Sequence, residues 1–240
     1  YEISLSYPQH RSKTFSAIVE SGSMNLYSKV LQDTSVWVDF QVFNSGIISN
    51  NLKCVTVDQN NYKWIGTNDK GIMKFDGNNF ISFNNSNSNI PSNRINTIKV
   101  DHNNNIWVGT NNGFGIFNGT GWTNFNKYNS PLTSDDILSF DFDDQGNAWI
   151  GATSGLFKFD GTNWTLYNDS NYNLWCNDLK ISPENSIWIA TNSGIIEFKN
   201  EFLTYYPDSI YSYPTNTVSA IDIDQLANVW SCHQNTPGKR

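Results

Sequence analysis

Five tryptophans recur along the chain at nearly constant spacing, each heading the same short motif. Trp64-Ile65-Gly66-Thr67, Trp107-Val108-Gly109-Thr110, Trp149-Ile150-Gly151-Ala152, Trp188-Ile189-Ala190-Thr191 and Trp230-Ser231-Cys232-His233 are separated by steps of 43, 42, 39 and 42 residues. A period of about 40–45 residues is that of a four-stranded blade, a sheet too small to bury its own faces and stable only when stacked on copies of itself. The 240 residues therefore predict an all-β fold, a β-propeller of four-stranded antiparallel blades.

Within each unit the order is the same. An alternating apolar strand comes first (Leu52-Val55-Val57, Ile95-Ile98-Val100, Ile137-Phe140-Phe142, Cys176-Leu179-Ile181). A polar turn follows, opened by Asp58, Asp101, Asp143 or Ser182; Asp and Asn suit such turns because their side chains bond nearby backbone. The tryptophan strand ends near a glycine (Gly71, Gly113, Gly155, Gly194). A third strand then runs into the hairpin signals Asp76-Gly77, Asn118-Gly119 and Asp160-Gly161, and the fourth carries Phe80, Trp122, Trp164 or Phe202. Complete units span about 52–83, 95–125, 137–167 and 176–206.

Two half-units remain. A shift of 43 residues lays Trp37 on Phe80 and Leu52 on Ile95, so 24–43 resemble the third and fourth strands of a blade, whereas 218–232 supply only the first two. Pairing them would make a fifth blade, close the ring and remove exposed sheet edges. The alternative is an open fragment of a larger propeller. Residues 1–23 do not match the repeat and form a lead-in segment, leaving 24–240 for the propeller.

Charged residues are only 15% of the chain and aromatics also 15%, a balance that fits short strands and tight turns rather than disorder. A net charge of -7 argues against nucleic acid or an anionic membrane, which require a basic face. Cys54, Cys176 and Cys232 show no metal-ligand spacing, and an odd count weakens a full disulfide framework while leaving room for one pair. No apolar run is long enough to span a bilayer, so direct membrane insertion is not expected. The chain opens on Tyr1, as expected of a processed or excised piece.

The pattern apolar-x-apolar-Asp-x-x-Asn/Gly-x-x-Trp-Ile-Gly-Thr-x-x-Gly-Ile/Leu-x-x-Phe resembles the two-component regulator propeller repeat. Val57 to Phe75, Val100 to Phe117 and Phe142 to Phe159 match it best, and the resemblance extends over roughly 24–232. Ala190 and Cys232 depart from the motif glycine, and Ser182 from the turn aspartate. The resemblance implies a bacterial periplasmic or secreted, cell-surface propeller, as in sensor regions of hybrid two-component systems. Its motif residues are packing and turn residues, so it specifies fold more strongly than function.

Chemistry-bearing clusters are sparse. The tryptophans recur identically in every unit, which points to packing between adjacent sheets rather than a stacking array for sugars or bases. Asp141 to Gly146 faintly resembles a calcium loop, but Ala152 stands where a bidentate glutamate belongs; an ordinary turn is expected and no metal or cofactor. Asp135 and Asp136 are adjacent and point to opposite faces. His10, His102 and His233 join no nucleophile or metal motif. No catalytic residues are assigned, although Asp178 and Asp222 on innermost strands are the carboxylates an enzyme of this shape would use.

The connections between blades share one face with the turns after the tryptophan strands. That face carries Tyr128, Tyr172, Trp175, Tyr211 and Tyr213, with amides such as Asn111 and Asn192. Aromatic planes beside amide donors and acceptors suit a glycan or an extended protein segment; the other reading is that these aromatics pin their own loops. The expected function is non-enzymatic binding of a glycan or protein partner. The alternatives are a carbohydrate-active enzyme with channel-mouth carboxylates and a structural component of a bacterial surface or secretion assembly.

Overall fold

The computed structural model describes residues 2–5, 13–16, 26–28, 38–167, 174–207 and 217–233. The chain divides into two compact units, Tyr1–Asn51 and Leu52–Arg240. In the first, β1 (Glu2–Leu5) pairs antiparallel with β2 (Lys13–Ser16), and β3 (Leu26–Ser28) with β4 (Val38–Phe40). Among the described residues no helix is long and apolar enough to cross a membrane.

The second unit holds four sheets of four strands each, all antiparallel and in sequence order. They are β5–β8 (Leu52–Val57, Lys63–Thr67, Ile72–Phe75, Phe80–Phe83), β9–β12 (Ile95–Val100, Ile106–Thr110, Gly113–Phe117, Trp122–Phe125), β13–β16 (Ile137–Phe142, Ala148–Ala152, Gly155–Phe159, Trp164–Tyr167) and β17–β20 (Cys176–Ile181, Ile187–Thr191, Gly194–Lys199, Phe202–Pro207). A two-stranded sheet, β21 (Val218–Ile223) with β22 (Val229–His233), follows. The four complete blades lie where the repeat places them.

One turn chemistry is repeated at the head of each tryptophan strand. Asp58, Asp101, Asp143 and Asp224 each accept two backbone N–H groups from the turn with Oδ1, while Oδ2 accepts the indole N–H six residues on, at 2.8, 3.0, 3.1 and 3.1 Å. The carboxylate thus closes the turn and orients the ring in one step. In the β17–β18 turn, Ser182 Oγ accepts only the Ser186 N–H, and the hydroxyl has no second oxygen to offer Trp188.

The core lies at the junctions between blades. Trp107 stacks on Phe114 of its own sheet (ring centroids 5.4 Å) and meets Phe140, Phe142 and Phe159 of the next at 5.7, 5.3 and 6.4 Å. Trp64 and Trp149 are likewise buried against the following sheet, and Trp188 packs on Val218 and Ile221. Such pairs add about 0.5–1.5 kcal/mol each beyond the area they bury. The packing expectation fails at Trp230, which is 64% exposed. Each tryptophan is covered by the sheet that follows it, and β21–β22 is the last sheet of its unit. At the other end Val55 and Val57, equivalents of Phe140 and Phe142, are 51% and 52% exposed for want of a preceding sheet in that unit.

The motif glycine owes its place to this stacking. A Cβ on Gly109 would lie 2.6 Å from Thr97 Cγ2 and 3.1 Å from Ile137 of the next blade, closer than real side chains approach. Ala190 is accommodated at the looser last junction, its methyl buried with Val218 and Ile221.

Candidate binding site

All five innermost strands of the Leu52–Arg240 unit carry the same irregularity. Their register shifts after the first residue: Leu52 pairs with Thr67 but Cys54 with Gly66, Ile95 with Thr110 but Thr97 with Gly109, and equally in β13, β17 and β21. The skipped residues are Lys53, Asn96, Leu138, Asn177 and Ser219. A bulged residue leaves the ladder and its side chain is re-aimed out of the pleat. These five, with Arg94, Thr97, Asp136 and Asp178, line one cavity of about 410 Å³.

The cavity wall is held by bonds that cross from blade to blade. Asn96 Nδ2 donates to Asp136 Oδ1 (2.8 Å) and to the Ile137 carbonyl (3.0 Å). Asn177 Nδ2 donates to Asn192 Oδ1 (2.9 Å) and to the Val218 carbonyl (2.8 Å). Asp178 accepts from Ser139 Oγ (2.7 Å) and its neighbour's Leu179 N–H (2.9 Å) on Oδ1, and from the Ile221 N–H (3.1 Å) on Oδ2. With both Nδ2 hydrogens donated, each asparagine has only its Oδ1 acceptor left to offer.

Farther along the same strands the fifth residues alternate in charge: Lys99, Asp141, Lys180 and Asp222. Lys180 Nζ lies 3.1 Å from Asp222 Oδ1, and Asp141 Oδ2 accepts the Ile181 N–H at 2.9 Å. Burial draws Lys99 below the usual lysine range, partly offset by Asp141. Burial also opposes the charge on Lys180, but its bond to Asp222 and the nearby Asp141 and Asp178 outweigh that and raise it. The Lys180 hydrogen bond holds Asp222 below the usual carboxylate range.

Of the residues expected at a site, Asn192 accepts a hydrogen bond from the cavity-lining Asn177 and is not itself in the lining. Asn111 Oδ1 accepts from Ser92 Oγ at 2.8 Å, on the connection that leads to Arg94. Tyr128 is 85% exposed on the β12–β13 connection, with Lys127 Nζ 5.1 Å from its ring centre. Trp175, 40% exposed, precedes β17. Tyr172, Tyr211 and Tyr213 lie outside the described residues. Asp178 and Asp222 do not form an acid pair: one is held in the wall by N–H and O–H donors, the other is neutralised by Lys180. Asp135 accepts the Lys127 N–H (2.8 Å), and Asp143 heads a closed turn. The three cysteines are free thiols, and burial pushes Cys54 up to about 12.

Lys53, Arg94, Asn96 and Asn177 are the residues that sequence reasoning missed. The strands were legible from their apolar residues, but the spacing of these residues, three and then two as in Ile95, Ile98 and Val100, departs from strict alternation where the register shifts. That uneven step, with a polar or charged second position in four units of five, was the available signal.

Residues 89–112 match the family described as Two component regulator propeller. Comparison with curated proteins finds no match. Among solved structures, the extracellular domain of a putative hybrid two component system from B. thetaiotaomicron aligns with a TM-score of 0.69 at 19% identity, over 86% of this chain and 31% of that one. Catalytically inactive virginiamycin B lyase from Staphylococcus aureus aligns at 0.69 and 13% identity, over 96% of this chain and 84% of that one. PorZ, a bacterial surface component of the type-IX secretion system of Porphyromonas gingivalis, aligns at 0.60 and 14% identity, over 92% of this chain and 41% of that one. The fold is shared by all three. The chain spans about a third of the length of the two component extracellular domain it matches.

Proposed function

We propose that this chain is a non-enzymatic binding propeller. It acts outside the cytoplasm, in the bacterial periplasm or at the cell surface, and recognises a glycan or a protein partner. The recognition face is the one carrying the blade connections and the bulge-lined cavity, with Trp175, Tyr128, Asn111 and Asn192, and with Tyr172, Tyr211 and Tyr213 as further contacts. One observation carries the reading: five inner strands each withdraw one residue from the ladder, and all five of these residues line a single cavity. A rigid scaffold holding convergent side chains binds with little ordering cost. The match at 89–112 and the likeness to an extracellular two component domain support a sensor context. The engagement of Asp178 and Asp222 supports a role without catalysis. The net charge of -7 supports partners other than nucleic acid.

The test is thermal unfolding against a panel of oligosaccharides, with calcium present and absent. A ligand at about 100 times its Kd adds roughly 2.7 kcal/mol to stability, a clear rise in Tm. A rise that disappears in Trp175→Ala or Tyr213→Ala supports the reading and its face. A flat panel sinks glycan recognition and turns the search to protein partners. Likeness to PorZ, together with exposed Phe202 and Leu226, favours a second reading, a structural component of a surface assembly, which predicts a large protein interface and no small ligand. The lyase likeness motivates a turnover assay on the same panel; product formation abolished by Asp178→Asn would replace binding with catalysis.

A further inference from the structure

The polar groups lining the bulge cavity differ in how far they are already engaged. Asn96 uses both amide hydrogens on the next blade, and Asn177 uses one on its own blade and one on the next sheet, so they offer a ligand only acceptor oxygens. Both oxygens of Asp178 accept hydrogen bonds from the wall, and Asp136 has one oxygen engaged by Asn96. Ser219 donates its hydroxyl to the Cys232 carbonyl and retains an acceptor. The cationic side chains of Lys53 and Arg94 are exposed, and no carboxylate lies in ion-pair range of either among the described residues. The strong donors still available at this mouth are therefore two cations, on a chain whose net charge is -7.

From this arrangement we infer that the cavity takes an acidic saccharide, its carboxylate held by Arg94 and Lys53. The inference rests on the binding role proposed above and names the ligand class. A guanidinium presents paired N–H groups that match a carboxylate in a bidentate fork, and lysine adds a point charge. The Asn96 and Asn177 oxygens accept from sugar hydroxyls, which are the donors a saccharide has in abundance and a simple anion lacks. Leu138 supplies an apolar patch for the C–H face of the ring. The volume of about 410 Å³ falls within the range of small-ligand sites, roughly 300–1,000 Å³. The carboxylates of Asp136 and Asp178 in the same lining oppose an anion, Asp178 with both oxygens turned to wall donors and Asp136 with one oxygen unengaged by Asn96.

The experiment is calorimetric titration of the full chain with glucuronate and galacturonate oligomers, their neutral counterparts, and inorganic sulfate. The uronates are expected to bind, more weakly as salt is raised, while neutral sugars and sulfate do not. Arg94→Gln and Lys53→Gln are expected to weaken uronate binding by about tenfold or more each, the loss of a charge-assisted contact. Asp136→Asn is expected to tighten it. Both cations are exposed, so an unchanged Tm without ligand shows that each variant is folded. Uronates and neutral sugars binding alike, with Arg94→Gln silent, would overturn the inference and leave a glycan-binding propeller standing. Sulfate binding as tightly as the uronates would reduce the site to an anion hole and also overturn it. No binding by any uronate overturns it outright, whatever a protein partner does.

Discussion

The indole–carboxylate bond is the residue-scale device of this fold. In each aspartate turn one oxygen closes the backbone and the other fixes the tryptophan, which in three of the four turns fills the next junction. Asp143→Ala is expected to leave a buried Trp149 N–H without its partner and to cost about 1–3 kcal/mol, measured by urea unfolding. The pH dependence follows from the same groups. Hydrogen bonds from Asn228 and Trp230 depress Asp224 from 3.8 to about 2. For Asp143, burial opposes ionisation, and bonds from Asn147 and Trp149 outweigh it. A folded pKa below the unfolded one gives stability that is present above about pH 4 and lost as pH falls toward 2. Trp230 is exposed, so its fluorescence should titrate with a midpoint near 2, and Asp224→Asn should abolish that step. The Asp-to-Trp spacing of six was on the page in four units, but only the rotamers reveal that one carboxylate serves both purposes.

At the scale of the element, the bulge decides what the inner strand does. Without it the second residue would stay in the ladder, and five side chains would not converge on the cavity. The bulge also lets asparagine clamp the following blade. Asn177→Ala is expected to release the Val218 carbonyl and the Asn192 side chain together, lowering stability by about 1 kcal/mol. It is also expected to speed amide exchange in β21 more than in β9. Equal protection in both strands would show that the clamp contributes nothing to the junction. Strand order, hairpin turns and junction aromatics were all legible beforehand, because each depends on a repeated residue type. Register was marked only by the three-residue apolar step in each inner strand, which shows that the alternation breaks and not how the partner strand pairs across the break.

The whole molecule is a series of junctions, each made of one sheet's tryptophan and the next sheet's apolar pair. Trp230 at one end of the Leu52–Arg240 unit and Val55 with Val57 at the other are the positions where a sheet of that unit lacks a neighbour on one side.

Taken alone, the sequence determined the blade, its period, its turns and its junction residues, since all of these follow from local propensity and from the need of a small sheet to be stacked. Tertiary structure alone decided which side chains meet in the middle. Lys53, the Arg94–Asn96 pair, Asn177 and Ser219 come from four separate repeats, tens of residues apart. They become neighbours only because successive sheets bring their inner strands around one cavity and the bulges turn them into it. The Trp230 ring, which shares the turn aspartate of its buried counterparts, was likewise left exposed by position in the array.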